Sequence, residues 1–237
     1  MADIEKIKRA YYRSFQGVFG VGEKFMSWRK PELVTGPGSI REIPRLLADA
    51  GVTKPMLVTG PNIVKTIGKR IMELLDEAGI GFAVYSEVEA NPSVVTAECI
   101  YMRYTENGCN GFIALGGGSP MDAAKAAAAL CARPDKQLTQ LAGLLKVGRP
   151  IPPIIAIPTT SGTGSETTVA AVITDRETNH KYAIMDLHLI PRRAVLDPEL
   201  TVGMPPRTTA TTGMDALTHA VEAYLCWTYN TRESLRW

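Results

Sequence analysis

The sequence predicts an α/β protein, in which a parallel sheet carries helices on both faces, followed by a helical segment. Two observations lead to this fold class. From about residue 55, short apolar runs alternate with helix-length segments, and turns rich in glycine and proline separate them. Strands that alternate with helices are typical of βαβ units in a parallel sheet. From Pro205 to near the end, the patterning is helical alone.

The elements follow in order along the chain. Gly79 is placed to end the first long helix, and the Ser93 hydroxyl is placed to cap the second. After Pro158 the rhythm changes, and two β-rich stretches on either side of a polar turn predict a hairpin. The predicted strands are 56–59, 82–85, 111–115, 153–157, 168–174, 181–185 and the short 191–196; the predicted helices are 63–78, 93–106 and 119–131.

The composition excludes several functional classes. The 237 residues are 45% hydrophobic and 21% charged, which is typical of a soluble globular protein of one or two domains. The formal charge is +2 without a block of lysine and arginine, so neither nucleic acid nor a membrane surface is an expected partner. The four cysteines form no C-x-x-C pair, and we expect reduced thiols in a cytoplasmic protein.

The N-terminal 30 residues form a predicted extension. They contain no apolar core of a signal peptide, and no run in the chain is long enough for a transmembrane helix. Apolar residues recur at helical spacing, which indicates a short docking helix or, alternatively, a targeting or encapsulation tag. These positions are Ile4, Ile7, Ala10, Tyr11 and Phe15.

A glycine loop, Gly116-Gly117-Gly118-Ser119, lies between a predicted strand and a predicted helix. Glycines allow a close approach of the backbone to a ligand, and a helix N-terminus adds free N–H donors and a positive dipole end. The loop therefore predicts a phosphate site, although a tight turn with a serine cap would have the same sequence. It is neither G-x-G-x-x-G nor a P-loop.

A second loop, residues 158–166, follows the next strand and has the sequence Pro-Thr-Thr-Ser-Gly-Thr-Gly-Ser-Glu. Its hydroxyls and backbone amides suit phosphate oxygens, a ribose or a carboxamide; an ordinary solvated loop is the alternative. Ligands of open α/β sheets bind at the carboxyl ends of strands, where both loops are expected. Two such loops in one sheet strengthen the prediction of a ligand site for each.

Asp215 and His219 stand four residues apart in a predicted helix, which places both side chains on one face. A carboxylate and an imidazole suit iron, manganese or zinc, whereas a simple helix-stabilising surface pair is the alternative. His180 and His188 lack such a partner, and we interpret both as structural or surface residues.

Taken together, these segments resemble the iron-dependent, group III alcohol dehydrogenase family. The resemblance runs from about residue 31 onward. It is specific because independent motifs agree in order and spacing. The matching segments are 36–39 (Gly-Pro-Gly-Ser), 116–125 (Gly-Gly-Gly-Ser-Pro-Met-Asp-Ala-Ala-Lys), 158–166, 197–200 (Asp-Pro-Glu-Leu), 204–206 (Met-Pro-Pro) and 213–224 (Gly-Met-Asp-Ala-Leu-Thr-His-Ala-Val-Glu-Ala-Tyr).

The resemblance implies a dinucleotide-binding α/β domain over residues 31–190 and the beginning of an all-helical metal-binding domain over 191–237. It implies NAD or NADP as cofactor, Fe²⁺ or alternatively Zn²⁺ as metal, and a primary alcohol, diol or aldehyde as substrate. The pyrophosphate would contact the glycine loop, and the threonines would contact the phosphate and nicotinamide side. The implied cofactor residues are Gly60, Gly117, Gly118, Ser119, Asp122, Thr159, Thr160, Thr163 and Lys181, and the implied metal ligands are Asp215 and His219.

Two departures from the family pattern bear on these expectations. The family supplies two further histidine ligands from later helices, so we expect this chain to be the front portion of such an enzyme. NAD-preferring members often carry an aspartate where this chain has Gly60, so we expect NADP to be tolerated. The alternatives are a non-catalytic nucleotide-binding fragment and a glycerol dehydrogenase-like enzyme. A homo-oligomer is expected of the complete protein.

Overall fold

The computed structural model describes residues 29–226 together with positions 8, 11–14 and 17. The predicted docking helix, with its apolar residues Ile4, Ile7, Ala10 and Phe15, lies largely outside the described residues. Strands and helices are numbered along the described part of the chain.

Nine strands form two sheets in the described part. The main sheet has the order β1-β9-β6-β4-β2-β3, and all of its neighbouring pairs are parallel, which confirms the predicted sheet type. The second sheet has the order β5-β8-β7. The strands are β1 (Glu32–Thr35), β2 (Pro55–Val58), β3 (Ala83–Tyr85), β4 (Gly111–Gly116), β5 (Gly143–Leu144), β6 (Ile154–Pro158), β7 (Ala170–Asp175), β8 (His180–Met185) and β9 (Arg193–Leu196).

The helices of the described part agree with the predicted segments and add one that the sequence reading did not identify, α1. Ser93 caps its helix as predicted, because its side chain accepts a hydrogen bond from the Thr96 amide. The segment predicted as one helix from residue 63 begins as a 3₁₀ turn, Ile63–Lys65, and becomes α-helical after a break at Thr66. The α-helices are α1 (Ile43–Asp49), α2 (Ile67–Glu77), α3 (Val94–Glu106), α4 (Gly118–Ala132) and α5 (Pro206–Leu225).

Helices cover both faces of the main sheet. Alternate residues of a strand point to opposite faces, and β2 and β4 divide their side chains accordingly. Leu57 and Ile113 pack with α1 and α2 in one buried cluster. Met56 and Phe112 pack with α3 and α4 in a second buried cluster. The three-layer arrangement explains why β2, β4 and β6 are buried along their whole length.

The strand order creates a topological switch point between β2 and β4. From β2 the chain passes through α2 to β3, and it then returns through α3 to β4 on the other side of β2. It continues in that second direction through α4 to β6. Ligands of open α/β sheets bind in the crevice at such a point, beyond the carboxyl ends of the strands.

Helix α4 is enclosed between the two sheets. Ala124 and Ala127 face the main sheet cluster, whereas Ala126 and Ala129 pack into a cluster that includes Ile173 of β7. Small side chains allow the helix to approach both sheets at once, which accounts for the alanine-rich sequence. The antiparallel pairing of β7 with β8 confirms the predicted hairpin.

The last described elements refine the expected domain boundary. Strand β9 lies inside the main sheet, between β1 and β6, although it falls after residue 190. We therefore propose that the α/β unit extends to about residue 204 and that the helical portion begins with α5. Helix α5 has 20 residues and none of them is buried. No described helix combines the length and the apolar character that crossing a membrane requires.

Candidate cofactor cleft and metal-ligand pair

The glycine loop connects β4 to α4, as predicted, and it lies at the switch point of the sheet. Gly116 has φ +141°, and a Cβ atom there would lie 2.8 Å from the Pro120 side chain, so only glycine fits. The helix begins at Gly118, one residue earlier than predicted. The first backbone N–H groups of α4 therefore lie at the carboxyl edge of the sheet, where an anion would be attracted.

The hydroxyl loop, residues 158–166, follows the adjacent strand β6 and packs directly on the glycine loop. A Cβ atom on Gly117 would lie 3.3 Å from the Thr160 hydroxyl, and one on Gly118 would lie 3.3 Å from the Thr163 methyl group. The Thr160 hydroxyl is buried and has no hydrogen-bond partner in the described structure. Since buried polar groups are normally paired, this hydroxyl is free for a ligand group.

A cleft of about 320 Å³ opens beside the two loops. Among the predicted cofactor residues, Gly118, Ser119, Asp122 and Thr163 line it directly. Gly117 and Thr160 pack against each other in the two loops and are not among its lining residues. Its other lining residues are Asn91, Pro92, Ser165, Thr168, Ala170, Val172 and Thr174.

Asp122 forms the polar floor of this cleft. Its carboxylate accepts hydrogen bonds from the Ser165 hydroxyl at 2.7 Å and from the Val172 amide at 3.1 Å. Burial raises the pKa of Asp122, while these bonds and the charge of Lys125 oppose the shift. The carboxylate therefore joins α4 to the hairpin in addition to facing the cleft.

Lys181 of β8 does not line the cleft itself, but it binds Asn91, which does. Its ammonium donates a hydrogen bond to the Asn91 side-chain oxygen at 2.7 Å, and the Asn91 amide donates to the Ser119 hydroxyl at 3.4 Å. Asn91 has φ +56°, a left-handed conformation that asparagine tolerates in turns. The sequence marked residues 90–93 as a turn but did not identify Asn91 as a site residue, because its role depends on the distant Lys181.

Gly60 and Thr159 stand at strand ends and do not line the cleft of about 320 Å³. Gly60 follows β2 on the other side of the switch point, and a Cβ atom there would meet only the Val88 carbonyl oxygen, at 3.4 Å. Thr159 is buried, and its amide donates to the Gly116 carbonyl oxygen at 2.9 Å. The backbone of Thr159 therefore fixes the two loops in register.

Asp215 and His219 face each other on α5, as their spacing predicted. Asp215 Oδ1 lies 3.8 Å from His219 Nε2, and both side chains are about half exposed. His219 Nδ1 lies 3.3 Å from the Gly162 carbonyl oxygen. A carbonyl oxygen only accepts, so Nδ1 carries the proton in this bond. Nε2, which lies on the side of Asp215, is then the ring nitrogen available to a metal ion.

The donor set for a metal is incomplete among the described residues. They contain no group of three or more histidine, cysteine, aspartate or glutamate side chains suited to a metal ion. Asp215 and His219 therefore have the right chemistry for Fe²⁺ or Zn²⁺ but supply two ligands, whereas a catalytic zinc site has at least three protein ligands.

A second cavity, of about 510 Å³, separates the hydroxyl loop from the start of the helical portion. Its wall includes Thr160, Gly162 and Glu166 of the loop, Asp197 after β9 and Ala216 of α5. Ala216 is the neighbour of Asp215, so this cavity lies between the cofactor loops and the helix that carries the metal-ligand pair.

The doubly wound sheet, with the glycine loop at its switch point and the hydroxyl loop after the adjacent strand, has the architecture of a nucleotide-binding α/β protein. Residues 30–198 match the family of iron-containing alcohol dehydrogenases, and the chain belongs to that family. Lactaldehyde reductase of Escherichia coli (strain K12) is 40% identical over 157 residues, which cover 66% of this chain and 41% of that protein.

Solved structures agree with this membership. A 1,3-propanediol oxidoreductase structure superposes with a TM-score of 0.81 at 35% identity, covering 84% of this chain and 53% of that one. Sulfoacetaldehyde reductase from Bifidobacterium kashiwanohense, solved in complex with NAD⁺, superposes with a TM-score of 0.73 at 34% identity, covering 84% and 54%. The chain thus spans about half the length of the relatives it matches.

Proposed function

We propose that this chain is part of an oxidoreductase that transfers a hydride between a primary alcohol or diol and NAD or NADP, with the aldehyde as oxidised product. One observation carries the proposal. The two loops that suit a dinucleotide are in contact at the carboxyl ends of β4 and β6, and Gly162 in one of them accepts a hydrogen bond from His219 of the metal-ligand pair. A cofactor and a metal would therefore meet in one cleft.

Each loop would hold a different part of the cofactor. The amides of Gly117, Gly118 and Ser119 would face the pyrophosphate at the helix N-terminus. The hydroxyls of Thr160 and Thr163 are placed for the phosphate and nicotinamide side, and the partnerless Thr160 hydroxyl supports this assignment. The relative solved with NAD⁺ has the same fold and supports the cofactor class.

Asp215 and His219 would contribute two ligands to Fe²⁺ or alternatively Zn²⁺, which supplies a Lewis acid for the substrate oxygen when bound. The residues of this chain would orient the nicotinamide carbon and exclude water from the cleft. We identify no separate protein general base among the described residues. Related proteins are named for lactaldehyde, 1,3-propanediol and sulfoacetaldehyde, so small alcohols and aldehydes are the proposed substrate class. We further propose a cytoplasmic homo-oligomer.

Cofactor binding can be tested by titrating the chain with NADH and NADPH and following nicotinamide fluorescence. We expect saturable binding, and we expect Gly118→Val to weaken it at least tenfold because the added side chain would press on Thr163. The matched control is Gly203→Val, since a Cβ atom on Gly203 meets nothing within 4 Å. If neither cofactor binds the wild-type chain, the proposed function is wrong.

Cofactor binding without turnover is the second candidate function for the chain taken alone. The two-ligand count of the described residues favours it. An alcohol-oxidation assay with added Fe²⁺ or Zn²⁺ separates the two candidates. Turnover would require further ligands, for example from a second copy of the chain.

A further inference from the structure

A third cavity, of about 290 Å³, opens at the amino edge of the main sheet. The amino ends of three neighbouring parallel strands, β1, β9 and β6, meet at this edge. Strand β6 has five residues, so roughly 15 Å separates its amino end from the hydroxyl loop at its carboxyl end. The cavity shares no lining residue with the proposed cofactor cleft, and its polar lining residues are Arg29, His188 and Arg192.

The backbone of Arg192 fixes this residue between two strands. Its amide donates to the Ile154 carbonyl oxygen at 3.0 Å, and its carbonyl oxygen accepts from the Glu32 amide at 3.0 Å. The neighbouring Arg193 directs its guanidinium to α1, where it donates to the Leu46 carbonyl oxygen and pairs with the Glu32 carboxylate at 2.8 Å. The side chain of Arg192 lines the cavity instead.

Arg29 and Arg192 bring two positive charges to the same cavity. Arg29 also donates a hydrogen bond to the Ile190 carbonyl oxygen, which holds it beside the segment that leads into β9. In the part of the chain that the structure describes, neither guanidinium forms an ion pair with a carboxylate. Burial and the charge of Arg192 both lower the pKa of Arg29, yet a guanidinium stays protonated in proteins. A cavity lined by charges of one sign concentrates ions of the opposite sign.

His188 is the third polar group of the lining, and a buried carboxylate holds its ring. Asp186 is 2% exposed and accepts from the Gly148 amide at 2.9 Å and from the His188 amide at 3.0 Å. Burial acts to raise the pKa of Asp186, but these bonds outweigh it and lower the pKa, so the group is a carboxylate. His188 Nδ1 lies 2.7 Å from Asp186 Oδ1 and donates to it. Nε2 is then the ring nitrogen available to a ligand.

The rest of the lining is apolar. It consists of residues 150–154, with the sequence Pro-Ile-Pro-Pro-Ile, together with Leu187 and Ile190. Arginine forks bind carboxylates and phosphates through paired hydrogen bonds. A bare inorganic ion would leave the apolar wall in contact with water, whereas an anion with a short alkyl part would cover it. The volume lies near the lower end of the roughly 300–1,000 Å³ that is typical of small-molecule sites, so the ligand must be small.

We propose that this cavity binds a small organic anion, whose phosphate or carboxylate group contacts Arg29 and Arg192 and whose alkyl part lies on residues 150–154. We call it the basic cavity. It lies at the opposite edge of the sheet from the two cofactor loops, so its ligand and a dinucleotide can be bound together. The inference goes beyond the proposed function and does not depend on it.

Isothermal titration calorimetry of the full chain tests the ligand class with two matched pairs of probes. n-Butyl phosphate is compared with inorganic phosphate, and butyrate is compared with acetate. We expect at least one of the organic anions to bind, at least tenfold more tightly than its short counterpart, because only the longer probe covers the apolar wall. The pair that shows this difference identifies the head group. If neither organic anion binds, or if neither binds more tightly than its counterpart, the proposal is wrong.

Arg192→Gln tests the role of the guanidinium pair, since it removes one charge and keeps a polar side chain. We expect it to weaken binding of the organic anion at least tenfold and to leave the NADH dissociation constant unchanged. The matched control is Arg41→Gln, the same change at an exposed arginine outside the cavity, which should alter neither. An Arg192→Gln chain that binds the anion as tightly as the wild type would overturn the proposal.

Amide hydrogen exchange locates the bound probe. We expect the organic anion to slow exchange in residues 187–192 and to leave residues 117–119 of the glycine loop unchanged. Slower exchange in the glycine loop alone would place the anion in the cofactor cleft and contradict the proposal.

Two further comparisons keep the outcomes distinct. If Arg192→Gln does not fold, Arg29→Gln takes its place, and unchanged anion binding in that variant would contradict the proposal. A wild-type chain that binds the organic anion but neither NADH nor NADPH would refute the proposed function and support the basic cavity. The reverse result would refute the basic cavity alone.

Discussion

Gly60 lies just after the end of β2, next to the proposed position of the cofactor ribose. It carries no side chain, and the nearest atom to an added Cβ is the Val88 carbonyl oxygen at 3.4 Å, an ordinary contact distance. A carboxylate at this position of a dinucleotide site binds the ribose 2′-hydroxyl and repels a 2′-phosphate. Because Gly60 offers no such charge, we propose that the chain accepts NADPH as well as NADH.

Gly60→Asp should therefore lower the affinity for NADPH by about tenfold or more, an order of magnitude that corresponds to about 1.4 kcal/mol. The affinity for NADH should stay the same or improve, because the new carboxylate can bind the ribose hydroxyl. Fluorescence titration with both cofactors measures the ratio, and Gly60→Asn, without the charge, is the control. A wild-type chain that strongly prefers NADH would contradict the argument.

At the scale of elements, helix α4 packs on both the main sheet and the second sheet. The helix begins within the glycine loop. It packs on the main sheet through Ala127 and on the hairpin through Ala126. Lys125 and Asp122 attach the hairpin strand to it. A helix enclosed on both sides leaves no room for larger side chains, since protein interiors are close-packed.

Ala127→Leu should destabilise the protein by about 1–3 kcal/mol, because three added carbons must displace well-packed neighbours. Urea unfolding followed by circular dichroism measures the loss. Ala220→Leu on the exposed helix α5 is the matched control and should change stability by less than about 0.5 kcal/mol. Equal effects of the two substitutions would mean that α4 is not enclosed as described.

At the scale of the whole molecule, the α/β unit and α5 contribute unequally to the two proposed sites. The cofactor loops are supported by a buried core on both faces of the sheet. Helix α5, in contrast, has no buried residue and exposes Met214, Leu217, Val221 and Leu225. The metal-ligand pair therefore lies on an exposed helix, which contacts the hydroxyl loop through His219 and Gly162.

Two ligands on one helix should bind Fe²⁺ or Zn²⁺ only weakly. We expect the purified chain to lose added metal on desalting, as measured by elemental analysis, and to show weak binding in titrations that His219→Ala abolishes. His180→Ala, on the exposed hairpin, is the control and should leave this weak binding unchanged. Stoichiometric metal retained after desalting would show that further ligands complete the site.

Much of the fold could be predicted because its cues are local. The Ser93 cap, the Gly79 stop and the turn before β8 depend on residues within a few positions of one another. Helix α1 and the two-residue strand β5 were not predicted, since each is too short for a period to be visible. The resemblance implied a boundary at residue 190, but β9 belongs to the sheet because it pairs with the distant strands β1 and β6.

The sequence by itself determined the alternation of strands and helices, the two loops and the Asp215–His219 pair, because spacing along a helix or strand sets which side chains share a face. Only the tertiary structure decided that the loops pack on each other, that Asn91 meets Lys181, and that Lys125 is buried under the segment 165–170. These contacts join residues 40 to 90 positions apart. Their partners are selected by the order of strands in the sheet, which no local pattern encodes.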